Sequence, residues 1–201
     1  MKKTLLLIVY LLLTACYETP RPLTRLPDDS VILAFGDSLT YGTGASTGHD
    51  YPNILAELTA LEIINEGVPG EISGDGLKRL PALLDEYQPK LLILTHGGND
   101  IIRKIPSEQI TDNLNKMITE AKNRNIEVVM LGVPQFSLLS LNSADFYRNI
   151  AESRQVPIDL NTLPDILGDN SLKSDMIHPN DAGYRLMAKN IFKLLQDAGA
   201  L

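Results

Sequence analysis

Apolar residues along this chain fall into short continuous runs, separated by longer stretches where they recur every three or four positions. The runs lie at 31–35, 91–95 and 128–133, with shorter ones at 62–65 and 156–159. A short run closed by turn-forming residues predicts a strand buried within a sheet. Between the runs, residues 51–61 predict a helix, and Leu77, Leu80, Leu84 and Tyr87 share one face of another, with Pro81 as a first-turn residue or a kink. Ile110, Leu114, Met117, Ile118 and Ala121 mark a third helix, and Tyr184, Met187, Ala188, Ile191, Leu194, Leu195 and Ala198 the closing one. Strands that are apolar on both faces need helices over both faces. Alternating strands and helices give a parallel sheet with right-handed crossovers. The expected architecture is α/β: one three-layer α/β/α domain over residues 31–201, with no internal repeats.

The segments following the strands carry the candidate chemistry. After the first comes Gly36-Asp37-Ser38, after the second Asn65-Glu66-Gly67-Val68-Pro69-Gly70, and after the third His96-Gly97-Gly98-Asn99-Asp100. Parallel strands bring all three turns to the carboxyl edge of the sheet, where ligands of open α/β sheets bind. Ser38 is a candidate nucleophile, although Asp37 and Ser38 equally suit the start of a short helix. Glycine lets a backbone N–H approach a reacting oxygen closely, and Asn99 offers a side-chain donor. Together they have the composition of an oxyanion hole, though Gly and Asn are also common turn formers.

Three histidines are candidates for the base. His49 lies in a polar, glycine-rich loop and reads as a solvated residue. His96 ends the third strand, with Asp100 as the nearby carboxylate. His178 lies in Asp175-Met176-Ile177-His178-Pro179-Asn180, just ahead of the closing helix. Asp three residues before His can reach Nδ1 and leave the other nitrogen for a serine proton, the arrangement of a catalytic triad. The same pair also suits helix capping, a reading that leaves Ser38 without a base. Gly42, Gly44 and Gly48 suggest a phosphate loop, but it lacks the Lys-Ser/Thr pair and starts beyond the strand end. Scattered histidines without a His-Glu-x-x-His pattern give no metal signature.

Taken together, Gly36-Asp37-Ser38-Leu39, Gly70, Gly98-Asn99-Asp100 and Asp175-x-x-His178 resemble the four blocks of the GDSL, or SGNH, hydrolases, in order across nearly the whole domain. The likeness extends to the small esterase, lysophospholipase and acyl-thioesterase branch through Leu172-Lys173-Ser174-Asp175 and His178-Pro179-Asn180 with Gly183-Tyr184. It implies Ser38 as nucleophile, His178 as base and then acid, and Asp175 as its orienter. It implies an oxyanion hole of the Ser38 and Gly70 backbone N–H groups and the Asn99 side chain, with no cofactor or metal. The implied sheet is flavodoxin-like, in the order 2-1-3-4-5. The chain departs from the pattern at Glu71, where Asp is usual, and at Pro69, His96 and Ile101-Ile102.

The implied function is hydrolysis of small-molecule or lipid esters. Phe136, Leu138 and Leu139, in an unusually apolar stretch after the fourth strand, are expected to line an acyl pocket. An O-acetyl esterase of cell-wall or surface glycans is a second expectation, and a non-catalytic lipid-anchored binding protein a third, from another class.

Charge and the amino terminus add an address. The net charge of −7 over 201 residues, without a basic run, argues against nucleic acid as a partner. Lys2-Lys3 precede nine apolar residues, 5–13, too few to span a bilayer and suited to a secretory signal. Leu13-Thr14-Ala15-Cys16 resembles the lipobox of bacterial lipoproteins, implying cleavage before Cys16 and lipidation of the sole cysteine. The expected division is a signal peptide at 1–15, a lipidated cysteine and proline-rich tether at 16–30, and the hydrolase domain at 31–201; a strap packed on the domain surface is the alternative reading of the proline-rich stretch. The expected location is a membrane surface on the periplasmic or outer side, held by the lipid.

Overall fold

The computed structural model describes residues 22–136 and 141–201. Its strands are β1 (Val31–Gly36), β2 (Glu62–Gly67), β3 (Leu91–Thr95), β4 (Glu127–Leu131), β5 (Pro134–Phe136), β6 (Leu141–Ser143) and β7 (Ile158–Asp159). Its helices are α1 (Ser38–Tyr41), α2 (Tyr51–Thr59), α3 (Ser73–Tyr87), α4 (Gly98–Ile102), α5 (Ser107–Lys122), α6 (Asp145–Arg154), α7 (Thr162–Gly168) and α8 (Asp181–Asp197). Five strands form a parallel sheet in the order β2-β1-β3-β4-β7, and β5 and β6 form a separate antiparallel hairpin.

The apolar runs account for the middle of the sheet. All of β3 is buried, as are β1 and β4 beyond their first residues, so helices must cover both faces. On one side α2 and α8 pack together with α7 alongside, and on the other α3 packs on α5 and α5 on α6. Strand β2 is the half-exposed edge, which accounts for its polar Glu62 and Asn65. The register sets up the site: Gly36 is level with Gly67 on one side and Thr95 on the other. The three turns that follow these strands therefore emerge at one edge and one height.

Two expectations change. Pro81 falls inside α3 rather than in its first turn, and the helix continues across it. The expected tether is a strap over its described part. The Leu23 N–H donates to the Ala198 carbonyl and the Leu26 N–H to the Ala200 carbonyl, both at 2.8 Å. Both leucines are buried, and Thr24 bonds through its N–H and hydroxyl to Glu127 at 3.2 and 3.0 Å. Burying two leucines, at about 2 kcal/mol each, favours docking over a solvated chain. The strap lies at the amino edge of the sheet, opposite the three turns. Cys16 and the rest of residues 1–21 lie outside the described residues, as do Leu138 and Leu139. Among the described residues, no helix is long and apolar enough to cross a membrane.

Candidate active site

Ser38 is the first residue of α1, directly after the end of β1. Asp37 caps that helix, its Oδ1 accepting the Leu39 N–H at 3.0 Å. Capping and a reactive position are thus compatible here: Asp37 fixes the turn and Ser38 is left half-buried in a cleft.

The segment before α8 brings the imidazole to the serine. Asp175 folds its own loop, with Oδ1 accepting the N–H groups of Ile177 and His178 at 2.8 and 2.9 Å. Its Oδ2 lies 2.7 Å from His178 Nδ1, and His178 Nε2 lies 3.0 Å from Ser38 Oγ. With the carboxylate at Nδ1, the proton sits on that nitrogen and Nε2 accepts from the serine hydroxyl. The cap of α8 is a different residue, Asn180, whose side chain accepts the Gly183 N–H at 3.1 Å. Partial burial pushes the Asp175 carboxyl up, but hydrogen bonds from His178 and the two backbone N–H groups outweigh it and hold the carboxyl below its ordinary value. Asp175 therefore stays ionised beside the imidazole, and the arrangement can draw the proton from Ser38.

Asn99 stands on α4, beyond β3. Its Nδ2 donates to the Glu71 carbonyl at 3.0 Å and to Asp37 Oδ2 at 3.2 Å. Gly70 lies in the β2–α3 turn at φ +80°, immediately before Glu71, and its carbonyl accepts Arg103 Nη2 at 2.9 Å. The second and third turns therefore meet at Asn99, beside the cap of the helix that Ser38 begins. Asp37 is fully buried; burial raises its carboxyl above the ordinary range, although the nearby His96 and His178 and the Leu39 N–H pull the other way.

The other histidines play different parts. His49 Nδ1 lies 3.2 Å from the Thr47 carbonyl within its own loop. His96 does not pair with Asp100: its Nε2 meets Glu71 Oε2 at 3.1 Å, while Asp100 accepts the Ser73 N–H and hydroxyl at 2.8 and 2.5 Å. The spacing from His96 suggested Asp100, but α4 turns that carboxylate toward α3.

The cleft beside Ser38 and Asn99 is lined by Leu39, Ile102, Val133, Pro134, Leu167 and Ile177. Of the expected pocket residues, Phe136 closes β5, and Leu138 and Leu139 lie outside the described residues. Val133 and Pro134, just upstream, do line the cleft. The lining comes from five separate segments, so no single apolar stretch could have announced it. The available signal was adjacency: Leu39, Ile102 and Ile177 each stand within three residues of Ser38, Asn99 or His178.

The model of the GDSL-like Lipase/Acylhydrolase family matches residues 34–186 of this chain. The arylesterase of Vibrio mimicus is 34% identical over 136 residues, which span 63% of this chain and 68% of that protein. The Thioesterase 1/protease 1/lysophospholipase L1 of Escherichia coli K12 is 30% identical over 176 residues, spanning 82% of this chain and 83% of that one. Among solved structures, the psychrotrophic esterase EstA of Pseudoalteromonas sp., inhibited by monoethylphosphonate, aligns with a TM-score of 0.73 at 25% identity, covering 84% of this chain and 98% of its own.

Proposed function

The chain belongs to the GDSL-like lipase/acylhydrolase family, and we propose that it hydrolyses carboxylic esters through an acyl-enzyme on Ser38. The observation that carries this reading is the continuous line from Asp175 Oδ2 to His178 Nδ1 at 2.7 Å and from His178 Nε2 to Ser38 Oγ at 3.0 Å. Ser38 Oγ attacks the ester carbonyl as His178 Nε2 takes its proton, and Asp175 steadies the imidazolium. The oxyanion is held by the Ser38 and Gly70 backbone N–H groups and by Asn99. Both protons of Asn99 Nδ2 already have acceptors; the longer bond, to Asp37, is the one with which the oxyanion competes. His178 then protonates the leaving alcohol, activates a water, and the acid departs as Ser38 recovers its proton.

The apolar cleft suits the acyl group, and the breadth of the Escherichia coli relative's name supports testing thioesters and lysophospholipids beside simple esters. The amino-terminal pattern supports a further part of the proposal: export, cleavage before Cys16 and lipidation of that thiol. Several acyl chains would hold the protein firmly at a membrane surface, where one holds only marginally. A second substrate reading, O-acetyl esters of cell-wall or surface glycans, draws support from the strap. Leu23 and Leu26 dock at the sheet edge opposite Ser38, so a chain anchored through Cys16 turns its cleft away from the anchor.

The test compares wild type and Ser38→Ala, both starting at residue 17, on p-nitrophenyl esters of two to sixteen carbons, an acyl thioester, a lysophospholipid and an acetylated glycan. Activity that disappears with Ser38 supports the acyl-enzyme, and the chain-length optimum separates lipid from acetyl substrates. Folded wild type that is inert on all of them moves the reading to a binding protein. For the anchor, mass spectrometry of the full chain recovered from membranes should show an acylated Cys16 that Cys16→Ser lacks.

A further inference from the structure

His96 is fully buried where β3 ends, and no step of the acyl transfer above calls on it. Its Nδ1 accepts the Gly97 N–H at 3.0 Å, so that nitrogen carries no proton and Nε2 is the donor to Glu71 Oε2 at 3.1 Å. Arg79 grips the same carboxylate from the other side, Nε to Oε1 at 2.7 Å and Nη2 to Oε2 at 2.9 Å. That two-pronged contact fixes the carboxylate in direction as well as place. Arg79 is itself seated on the Phe35 ring, 4.2 Å from its centroid, and donates to the Glu66 carbonyl at 2.7 Å.

Both ends of the His96–Glu71 contact lead to an oxyanion donor. Glu71 directly follows Gly70, and its carbonyl accepts Asn99 Nδ2. Gly97, held by Nδ1, caps α4, on which Asn99 stands. One imidazole therefore ties the turn carrying Gly70 to the turn carrying Asn99. Helix α3 leaves room for it: a Cβ at Gly76 would stand 2.5 Å from His96 Nε2 and 3.1 Å from Glu71 Oε2. Gly76, the fourth residue of α3, thus stands where two other side chains need the space.

We propose that His96 and Glu71 are a positioning pair that sets the separation and direction of the oxyanion donors on Gly70 and Asn99. The inference rests on the acyl-enzyme reading. Neither residue touches the reacting atoms; each acts through a donor. Such donors count only in the transition state, so a loosened pair lowers kcat and leaves KM in place.

The test is a double-mutant cycle on the full chain with p-nitrophenyl butyrate, using His96→Leu, Asn99→Ala and the pair, and Glu71→Gln in both backgrounds. Rates are taken per active serine, titrated with a fluorophosphonate. His96→Leu and Glu71→Gln should each lower kcat roughly tenfold with KM within about twofold, and should lower it less than about threefold once Asn99 is Ala. A purely structural role would reduce the count of active sites and the melting temperature without changing kcat per site, and that result overturns the proposal. Equal losses in the two backgrounds overturn it as well. If His96→Leu does not fold, the Glu71→Gln cycle decides by the same outcomes. Ser38→Ala that retained hydrolysis would instead overturn the acyl-enzyme reading, a result separate from either arm of the cycle.

Discussion

The carboxylate of Asp37 accepts a hydrogen bond from the side-chain amide of Asn99 at 3.2 Å, joining the residue before Ser38 to α4 across the site. Because burial raises the Asp37 carboxyl, its ionised form costs stability above the folded-state value, and that cost vanishes as pH falls below the ordinary carboxylate range. Asp37→Asn keeps a good helix cap and removes the charge. Thermal melts should show the stability of the variant relative to wild type falling as pH is lowered from 7–8 toward about 4. A relative stability that rose toward acid would mean that Asp37 is stabilised as the anion.

Asn99→Ala removes the side chain proposed as an oxyanion donor and leaves the Asp175–His178–Ser38 contacts untouched. The expected loss is roughly 10²–10³ in kcat with KM little changed. A loss under about tenfold in a folded variant would rule out the donor role.

Asp175→Asn retains an oxygen for the Ile177 and His178 N–H groups but loses the charge facing Nδ1. Steady-state kinetics should show kcat reduced on the order of 10⁴. The pH dependence of stability should change too. Asp175 is held below its ordinary value, so its contribution is present above the usual carboxylate range and is lost as pH falls through the depressed folded-state value. Acid titrations of wild type should therefore show a loss that Asp175→Asn lacks.

Gly44 is at φ +94°, and a Cβ there would stand 2.1 Å from Ser174 Oγ and 2.6 Å from the Pro179 carbonyl. Gly44→Ala must displace the loop that carries Asp175 and His178. Urea unfolding should show a loss of about 1–3 kcal/mol, together with reduced kcat.

Leu26→Ala loosens the strap at the edge away from the cleft. The expected destabilisation is about 2–4 kcal/mol by urea unfolding. Ester hydrolysis at 25 °C should be unchanged. A marked fall in kcat would mean that the strap reaches the site through the sheet.

Much of the fold was legible because a local rule determines it. The runs that became β1, β3 and β4 are apolar on both faces since each is covered on both, and α5 and α8 show their buried stripes at helical spacing. The pairing of Asp175 with His178 is local as well, a matter of three residues in one loop. Helix α4 was hidden because five residues are too few to display a period, and α1 showed only its capping residues, Asp37 and Ser38.

The remaining features join segments far apart in the chain, and only packing decides them. Leu23 and Leu26 read as part of a polar, proline-rich tether until the carbonyls beyond α8 offer their N–H groups acceptors. His96 has an acid four residues away in Asp100, yet it bonds to Glu71, twenty-five positions back, because β2 and β3 flank β1 at matched heights. The sequence alone determined which residues are apolar, which are reactive and which can turn. Which of them meet was decided by the register and the packing, since a hydrogen bond depends on distance in space and not on separation along the chain.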